Sequence, residues 1–206
     1  MRTRWSGAVL LLIFALMRAH VLQAQPDPLI GFASGWVQAT FVGEDLGSAA
    51  YRPGFSAGAF LRYPLNDLLA LQPELWYEVK GGKRVRGAPF APDDARVRIS
   101  YTTLSLLMRV AVPPGNGILR FMAGPQFSVR LNTEINEQDA DAMLRAFDLG
   151  GVGGVELGLP VQRGLMREVF LAGRYYLGLT KIDRRAPRTD DVKNRNFSLI
   201  LGVAFR

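Results

Sequence analysis

The sequence predicts an all-β fold, an eight-stranded antiparallel up-and-down transmembrane β-barrel preceded by a cleaved signal peptide. Three observations predict it: an N-terminal run built like an export signal, segments whose apolar residues recur with period two, and connections that alternate between short and long. Composition sets only an outer bound, since 206 residues with 49% hydrophobic and 21% charged fit one domain of ordinary size.

The export signal comes first. Arg2 and Arg4 precede an apolar run from Ala8 to Leu16, and Leu22-Gln23-Ala24 offers a small residue at a cleavage point before Gln25. A membrane-spanning helix needs about 20 apolar residues, whereas Arg18 and His20 interrupt this run after roughly a dozen. The reading is therefore a signal peptide over residues 1–24 and a barrel domain over 25–206. Its removal takes Arg2, Arg4 and Arg18 and no acid, leaving 22 basic against 18 acidic residues, a net charge of +4 instead of +7. The sequence holds no Cys. A disulfide framework, a thiolate metal site and a lipidated cysteine are thereby excluded, and the fold must hold by packing and backbone pairing.

No later stretch reaches 18 apolar residues, so any further crossing must be by strands, which need only about 9–11 residues each. Segments 29–41 and 53–63 are rich in Gly, small residues and aromatics, as curved barrel strands are. From Leu69 the alternation is clear: Leu69, Leu71, Pro73, Leu75, Tyr77 and Val79 share one face, and Ala70, Gln72, Glu74, Trp76, Glu78 and Lys80 the other. A fourth segment spans 97–111. In the fifth, Leu119, Phe121, Ala123, Pro125, Phe127, Val129 and Leu131 oppose Arg120, Met122, Gly124, Gln126, Ser128 and Arg130. A Gly-rich sixth covers 147–158. In the seventh, Val169, Leu171, Gly173, Tyr175, Leu177 and Leu179 oppose Arg174 and Thr180. The eighth sets Phe197, Leu199, Leu201, Val203 and Phe205 against Ser198, Gly202 and Arg206. Pro73 and Pro125 lack an N–H, so each demands a bulge or a locally unpaired position.

The connections are short at Pro64–Asp67, Pro113–Gly117 and Leu159–Arg167, and long and polar at 42–52, 81–96, 132–146 and 181–195. That alternation is the mark of a barrel whose two ends lie on the short-turn, periplasmic side.

Four segments carry a family resemblance: FSAGAFLRYPLNDLLALQPELWYEVKGGK at 55–83, YTTLSLLMRVAV at 101–112, ILRFMAGPQF at 118–127 and the closing FSLILGVAFR at 197–206. Together they resemble the PorT-like outer-membrane barrel proteins of the Bacteroidetes type. Where that family commonly has Glu-hydrophobic-Pro in its fourth strand, this chain has Thr103, Leu104 and Ser105. The resemblance implies a bacterial outer-membrane barrel in contact with lipid and lipopolysaccharide, and a tie to secretion or envelope assembly. By the same resemblance, Phe205 serves as the aromatic ending read by the barrel-insertion machinery. Fold alone does not fix function.

The chemistry of the chain points away from catalysis. His20, the one His, falls in the signal peptide, so a Ser-His-Asp or Cys-His centre and a zinc site of the usual ligands have no basis in the mature chain. No phosphate-cradling motif is present, and Gly150, Gly151, Gly153 and Gly154 read as strand glycines. No cofactor is expected, and basic residues mixed with acids in an exported chain argue against nucleic acid.

Glu74, Glu78, Arg109, Arg120, Arg130, Glu156 and Arg174 fall on polar faces. In a narrow barrel they form a lumen ion-pair network, because an eight-stranded interior is just wide enough for side chains to fill and charges withdrawn from water must pair. The rival reading is a narrow ion-conducting barrel. A second rival is a secreted lipocalin-like soluble barrel, which turns Leu69, Leu71, Leu75 and the Phe121–Phe127 face inward around an apolar ligand and leaves Glu74, Glu78 and Arg120 in water. Trp36, Tyr63, Trp76, Tyr77, Tyr101, Tyr175 and Tyr176 are candidates for interfacial girdles. The long connections carry Lys83, Arg84, Arg86, Arg184, Arg185 and Arg188, which read either as solvated loop residues tempered by nearby acids or as contacts to lipopolysaccharide phosphates.

Overall fold

The computed structural model describes residues 27–43, 46–88, 90–112, 119–182 and 192–206. The expected signal peptide 1–24 and loop residues Arg184, Arg185 and Arg188 lie outside the described residues. Eight long strands follow in order: β1 (Leu29–Val42), β2 (Ser48–Pro64), β3 (Leu69–Arg86), β4 (Ala95–Ala111), β5 (Leu119–Ile135), β6 (Phe147–Arg163), β7 (Met166–Gly178) and β8 (Lys193–Phe205). Each pairs antiparallel with its sequence neighbours. β8 returns to β1, from Phe205 opposite Ile30 to Lys193 opposite Val42, so the sheet closes and leaves no long edge. A two-residue ladder at Gln138–Asp139 and a short 3-10 turn at Asp141–Met143 lie between β5 and β6.

Local chemistry explains the tight end. In the turn after β2, Asn66 Oδ1 accepts from Leu68 N and Leu69 N at 2.9 and 2.8 Å, the hydrogen-bonded turn that a short polar side chain supports. Gly164, at φ 58°, supplies the left-handed residue between β6 and β7. The start of β1 and the end of β8 meet here, where Arg206 pairs with Asp27 and its backbone N donates to Leu165 O at 3.0 Å. Pro73 and Pro125 sit where the ladder is interrupted on one side without a change of register. Pairing of β2 with β3 skips from Phe60–Glu74 to Tyr63–Leu71, and that of β4 with β5 from Ser105–Gln126 to Met108–Ala123.

Side-chain parity decides the two surfaces. On β4, Thr103, Ser105, Leu107 and Arg109 are buried in the lumen while Leu104, Leu106, Met108 and Val110 are exposed outside. Leu75, Phe121 and Leu201 are 55%, 50% and 59% exposed, and all eight strands add large apolar residues to the same outer belt. An outer surface this apolar belongs in lipid. This overturns the soluble-barrel alternative: Leu75, Phe121 and Phe127 face outward, Leu69 and Leu71 are only half-buried, and Glu74 is buried inside.

The strands run further toward the long connections than alternation alone suggests, and the gaps there shrink to 43–47, 87–94, 136–146 and 179–192. The cause is an inversion of polarity within single strands. At the upper end of β4, Ala95, Val97, Ile99 and Tyr101 are inside and Arg96 and Arg98 outside, so the parity persists while the chemistry of each face changes sign. Those inner residues pack with Phe41, Val85, Phe90, Ile135, Leu144, Ile182 and Val192 into an apolar cluster. Register shifts concentrate here, between Tyr51 and Ser56 of β2 against β3 and between Gly82 and Val85 of β3 against β4. Gly81, at φ 142°, has no room for a side chain because a Cβ would lie 2.0 Å from Val97 O. Val79, read as lipid-facing, is buried beside the first of these shifts, where the β2 backbone at Gly54 closes on its carbonyl.

Aromatics mark the level where the polarity changes. Phe55 contacts Tyr77 and Phe127 stacks on Phe147, each with ring centroids 5.6 Å apart, and Trp36, Tyr175 and Phe197 are exposed on β1, β7 and β8. Tyr63 is exposed toward the short-turn end. Trp76, Tyr101 and Tyr176 depart from the girdle expectation. They share the inward parity of Glu74, Thr103 and Arg174 and are buried in the lumen.

Candidate functional site

Inward parity delivers charged side chains from six strands to one level of the lumen, and their bonds form an unbroken chain. Arg174 of β7 donates two hydrogen bonds to Glu74 of β3, at 2.6 and 2.9 Å, the paired geometry that suits guanidinium to carboxylate. Glu74 also accepts from Gln72 Nε2 at 2.6 Å and from Trp76 Nε1 at 2.8 Å. Arg62 of β2 donates from Nε to Gln72 at 2.8 Å and from Nη1 to Glu168 of β7 at 2.7 Å. Arg120 of β5 joins Glu168 to Glu156 of β6, and Arg109 of β4 donates to the same Glu156 oxygen.

Rings line this chain. Arg62 lies 5.2 and 5.6 Å from the rings of Phe60 and Phe170, and Arg174 lies 5.3 Å from Trp76. Guanidinium faces gain from aromatic neighbours once water is gone. The glycines of β6 make room: a Cβ on Gly150 would lie 2.6 Å from the Tyr176 ring, and one on Gly154 would lie 3.1 Å from Arg174.

A second layer lies above. Glu78 pairs with Lys80 at 2.7 Å and accepts from Thr103 at 2.9 Å and Gln126 at 3.2 Å. Lys80 Nζ is 4.3 Å from the Tyr176 ring centre. Asp148 of β6, fully buried, accepts from Asn194 at 2.8 Å and Thr180 at 3.1 Å, and Asn194 also donates to Tyr101 at 3.1 Å. The apolar cluster around Val97 and Ile99 comes next.

Among the residues read from the sequence, Glu74, Arg109, Arg120, Glu156 and Arg174 meet in the first layer and Glu78 lies in the second. Arg130 stands apart, donating to Leu144 O at 2.9 Å near the loop end. Arg62, Gln72, Lys80 and Glu168 escaped notice as members. Arg62 shares the parity of Ser56 and Phe60 in a segment whose Gly and Ala blur the pattern, and Glu168 falls between the expected turn and the expected strand. Of the loop cations, Arg84 is exposed and Lys83 half-buried. Arg86 binds Asp94 at 2.9 and 3.3 Å, and this contact holds the Asp94 carboxyl below its ordinary range while raising Arg86. Among the described residues, no three metal-capable side chains converge.

A closed antiparallel barrel that is apolar outside, ringed by aromatics and polar within defines a transmembrane β-barrel protein. The profile of the family described as outer membrane protein beta-barrel domain matches residues 23–184, and the chain belongs to that family. It is a protein of the bacterial outer membrane. Among solved structures it is similar to Neisserial surface protein A, at 14% identity and a TM-score of 0.50, covering 89% of this chain and 99% of that one. It is also similar to the outer membrane protein OprG from Pseudomonas aeruginosa, at 10% identity and a TM-score of 0.52, covering 88% of this chain and 97% of that one. At these identities the likeness is one of fold. No curated sequence matches the chain.

Proposed function

We propose that this is a non-enzymatic, PorT-like envelope barrel with a structural, adhesive or assembly role, its lumen plugged by its own side chains. The carrying observation is the bonded chain from Arg174 to Arg109, overlain by the Glu78–Lys80 layer and the apolar cluster. Ions crossing such an interior must displace paired charges and then pass packed apolar side chains, both costly steps. In planar bilayers the refolded protein is expected to give no conductance steps, while its gel band shifts on boiling. Discrete steps in the intact barrel would replace the plug with a channel.

Two further parts belong to this reading. Residues 1–24 are removed on export, so sequencing of the mature N-terminus should begin at Gln25. Lys83, Arg84 and Arg86 meet lipopolysaccharide phosphates above the aromatic ring, a position supported by the exposure of Arg84 and Arg86. A Lys83→Gln/Arg84→Gln variant should then retain less lipopolysaccharide on purification, and equal retention would assign these cations to solvent.

A further inference from the structure

We propose that the short-turn mouth of the lumen is a phosphate-binding site built by Arg62, Arg109 and Arg120. These three arginines line a cavity of about 140 Å³ that opens beside the turn between β2 and β3. One water takes about 30 Å³ in the liquid, so the space suits a small polyatomic ion.

Charge balance points to an anion. The bonded chain holds Arg62, Arg109, Arg120 and Arg174 against Glu74, Glu156 and Glu168, one cation in excess. The layer above has the opposite imbalance, with Glu78 and Asp148 against Lys80, so the excess of positive charge is local to the layer at the mouth. Three of the four arginines of that layer line the opening, and buried guanidinium groups gain from an opposite charge placed beside them.

The unmet hydrogen-bonding groups narrow the choice. Arg62 and Arg109 are 4% and 2% exposed, and Arg62 Nη2 and Arg109 Nε have no hydrogen-bond partner among the described residues. Arg62 Nη2 stands 3.8 Å from Glu156 Oε1. Glu156 Oε2, on the carboxylate that Arg109 and Arg120 share, is likewise unbonded. Orphan donors on two arginines that line the opening ask for a ligand with several acceptor oxygens. Phosphate does this best, because its oxygens accept from several guanidinium groups at once. Chloride offers no oxygen and acetate only two. Asp67, exposed on the rim, sets a negative charge at the entrance and favours the singly charged form.

The site differs from the plug in what tests it. The full mature chain, refolded in a maltoside detergent free of phosphate, is dialysed against radiolabelled inorganic phosphate at ionic strength held constant with chloride. The expected result is saturable binding of one phosphate per barrel, weakened at least tenfold by Arg109→Gln and unchanged by Arg130→Gln. Arg109→Gln equalises the charges of the network, so its band should remain heat-modifiable; Arg120→Gln, at the wetter edge, is the second variant and should also weaken binding. Displacement by glycerol 3-phosphate would make the natural ligand a phosphate ester, and failure to displace would make it the free ion. The proposal is overturned by absent or non-saturable binding, by equal loss in Arg130→Gln, or by equal competition from acetate or chloride, which would mean an adventitious ion only. Conductance in the same protein would remove the plug and leave this site standing.

Discussion

The two halves of the lumen solve one packing problem with opposite chemistry. Near the short turns the inner wall carries Arg62, Glu74, Arg109, Glu156 and Arg174, with rings between them. Near the long connections the same inward parity carries Val85, Ala95, Val97, Ile99 and Ile135. The outer faces are reversed in step, from Leu104 and Leu106 below to Arg96 and Arg98 above. Where lipid surrounds the wall, the outside takes the apolar residues and the inside is free to hold paired charge. Above the bilayer, water surrounds the wall and the interior becomes an ordinary hydrophobic core. The strand is thus a membrane strand at one end and a soluble strand at the other.

The largest expected effect breaks the polar half. Glu74→Ala strands Arg174 and frees Gln72 and Trp76, and losing one partner of a buried pair costs about 3–5 kcal/mol. Equilibrium unfolding in urea should show it, and Glu74→Gln/Arg174→Met, which removes both charges, should recover much of the loss. If the double variant is as unstable as the single one, charge pairing is not what holds this layer. The matching change above is Ile99→Ala, which opens a cavity among apolar neighbours and should cost about 2–4 kcal/mol in the same measurement.

Much of this contrast was legible in the sequence at the lower end and little at the upper. Period-two alternation from Leu69 and Leu119 separated lipid-facing from lumen-facing positions because lipid demands an unbroken apolar stripe. The same parity turns Glu74, Arg120 and Arg174 inward. Above Tyr77 that stripe ends, and Lys83, Arg84, Val85 and Arg86 look like a polar loop although three more layers of ladder run through them. The signal for strand there is the inner set, Val97, Ile99 and Tyr101, which reads as core only once the parity from Thr103 is carried upward. The pairing of Arg62 with Glu168 joins residues 106 apart in the chain, a contact that closure creates and local pattern does not encode.

The level of the membrane boundary can be sharpened by placing the same charge at two depths on one strand. Leu104→Arg puts a guanidinium into the apolar belt and should cost about 2–4 kcal/mol, whereas Thr102→Arg, opposite Tyr77 at the aromatic level, should cost about 0–1 kcal/mol. Refolding into vesicles followed by urea titration measures both. Equal costs would move the boundary away from the aromatic ring.

The smallest effect lies outside the membrane, at Arg86 and Asp94. Hydrogen bonding to Arg86 holds the Asp94 carboxyl below its unfolded value, so the stabilisation it adds is present above that value and is lost as the pH falls through the folded one. The partner shift has the opposite sign: Arg86 is raised, and its contribution would fade only at alkaline pH beyond any working range. The acid limb alone is therefore observable, below about pH 4. Both side chains are more than half exposed, so salt should shrink the effect and a stability assay will barely register it. A carboxyl titration by NMR is the suitable measurement. Asp94 should titrate below an ordinary aspartate, and Arg86→Gln should return it to the usual value while leaving the buried Glu74 layer unmoved. An Asp94 midpoint unaffected by that change would show that the β3–β4 connection is held by its apolar residues, Val85, Ala88 and Phe90, and not by its surface charges.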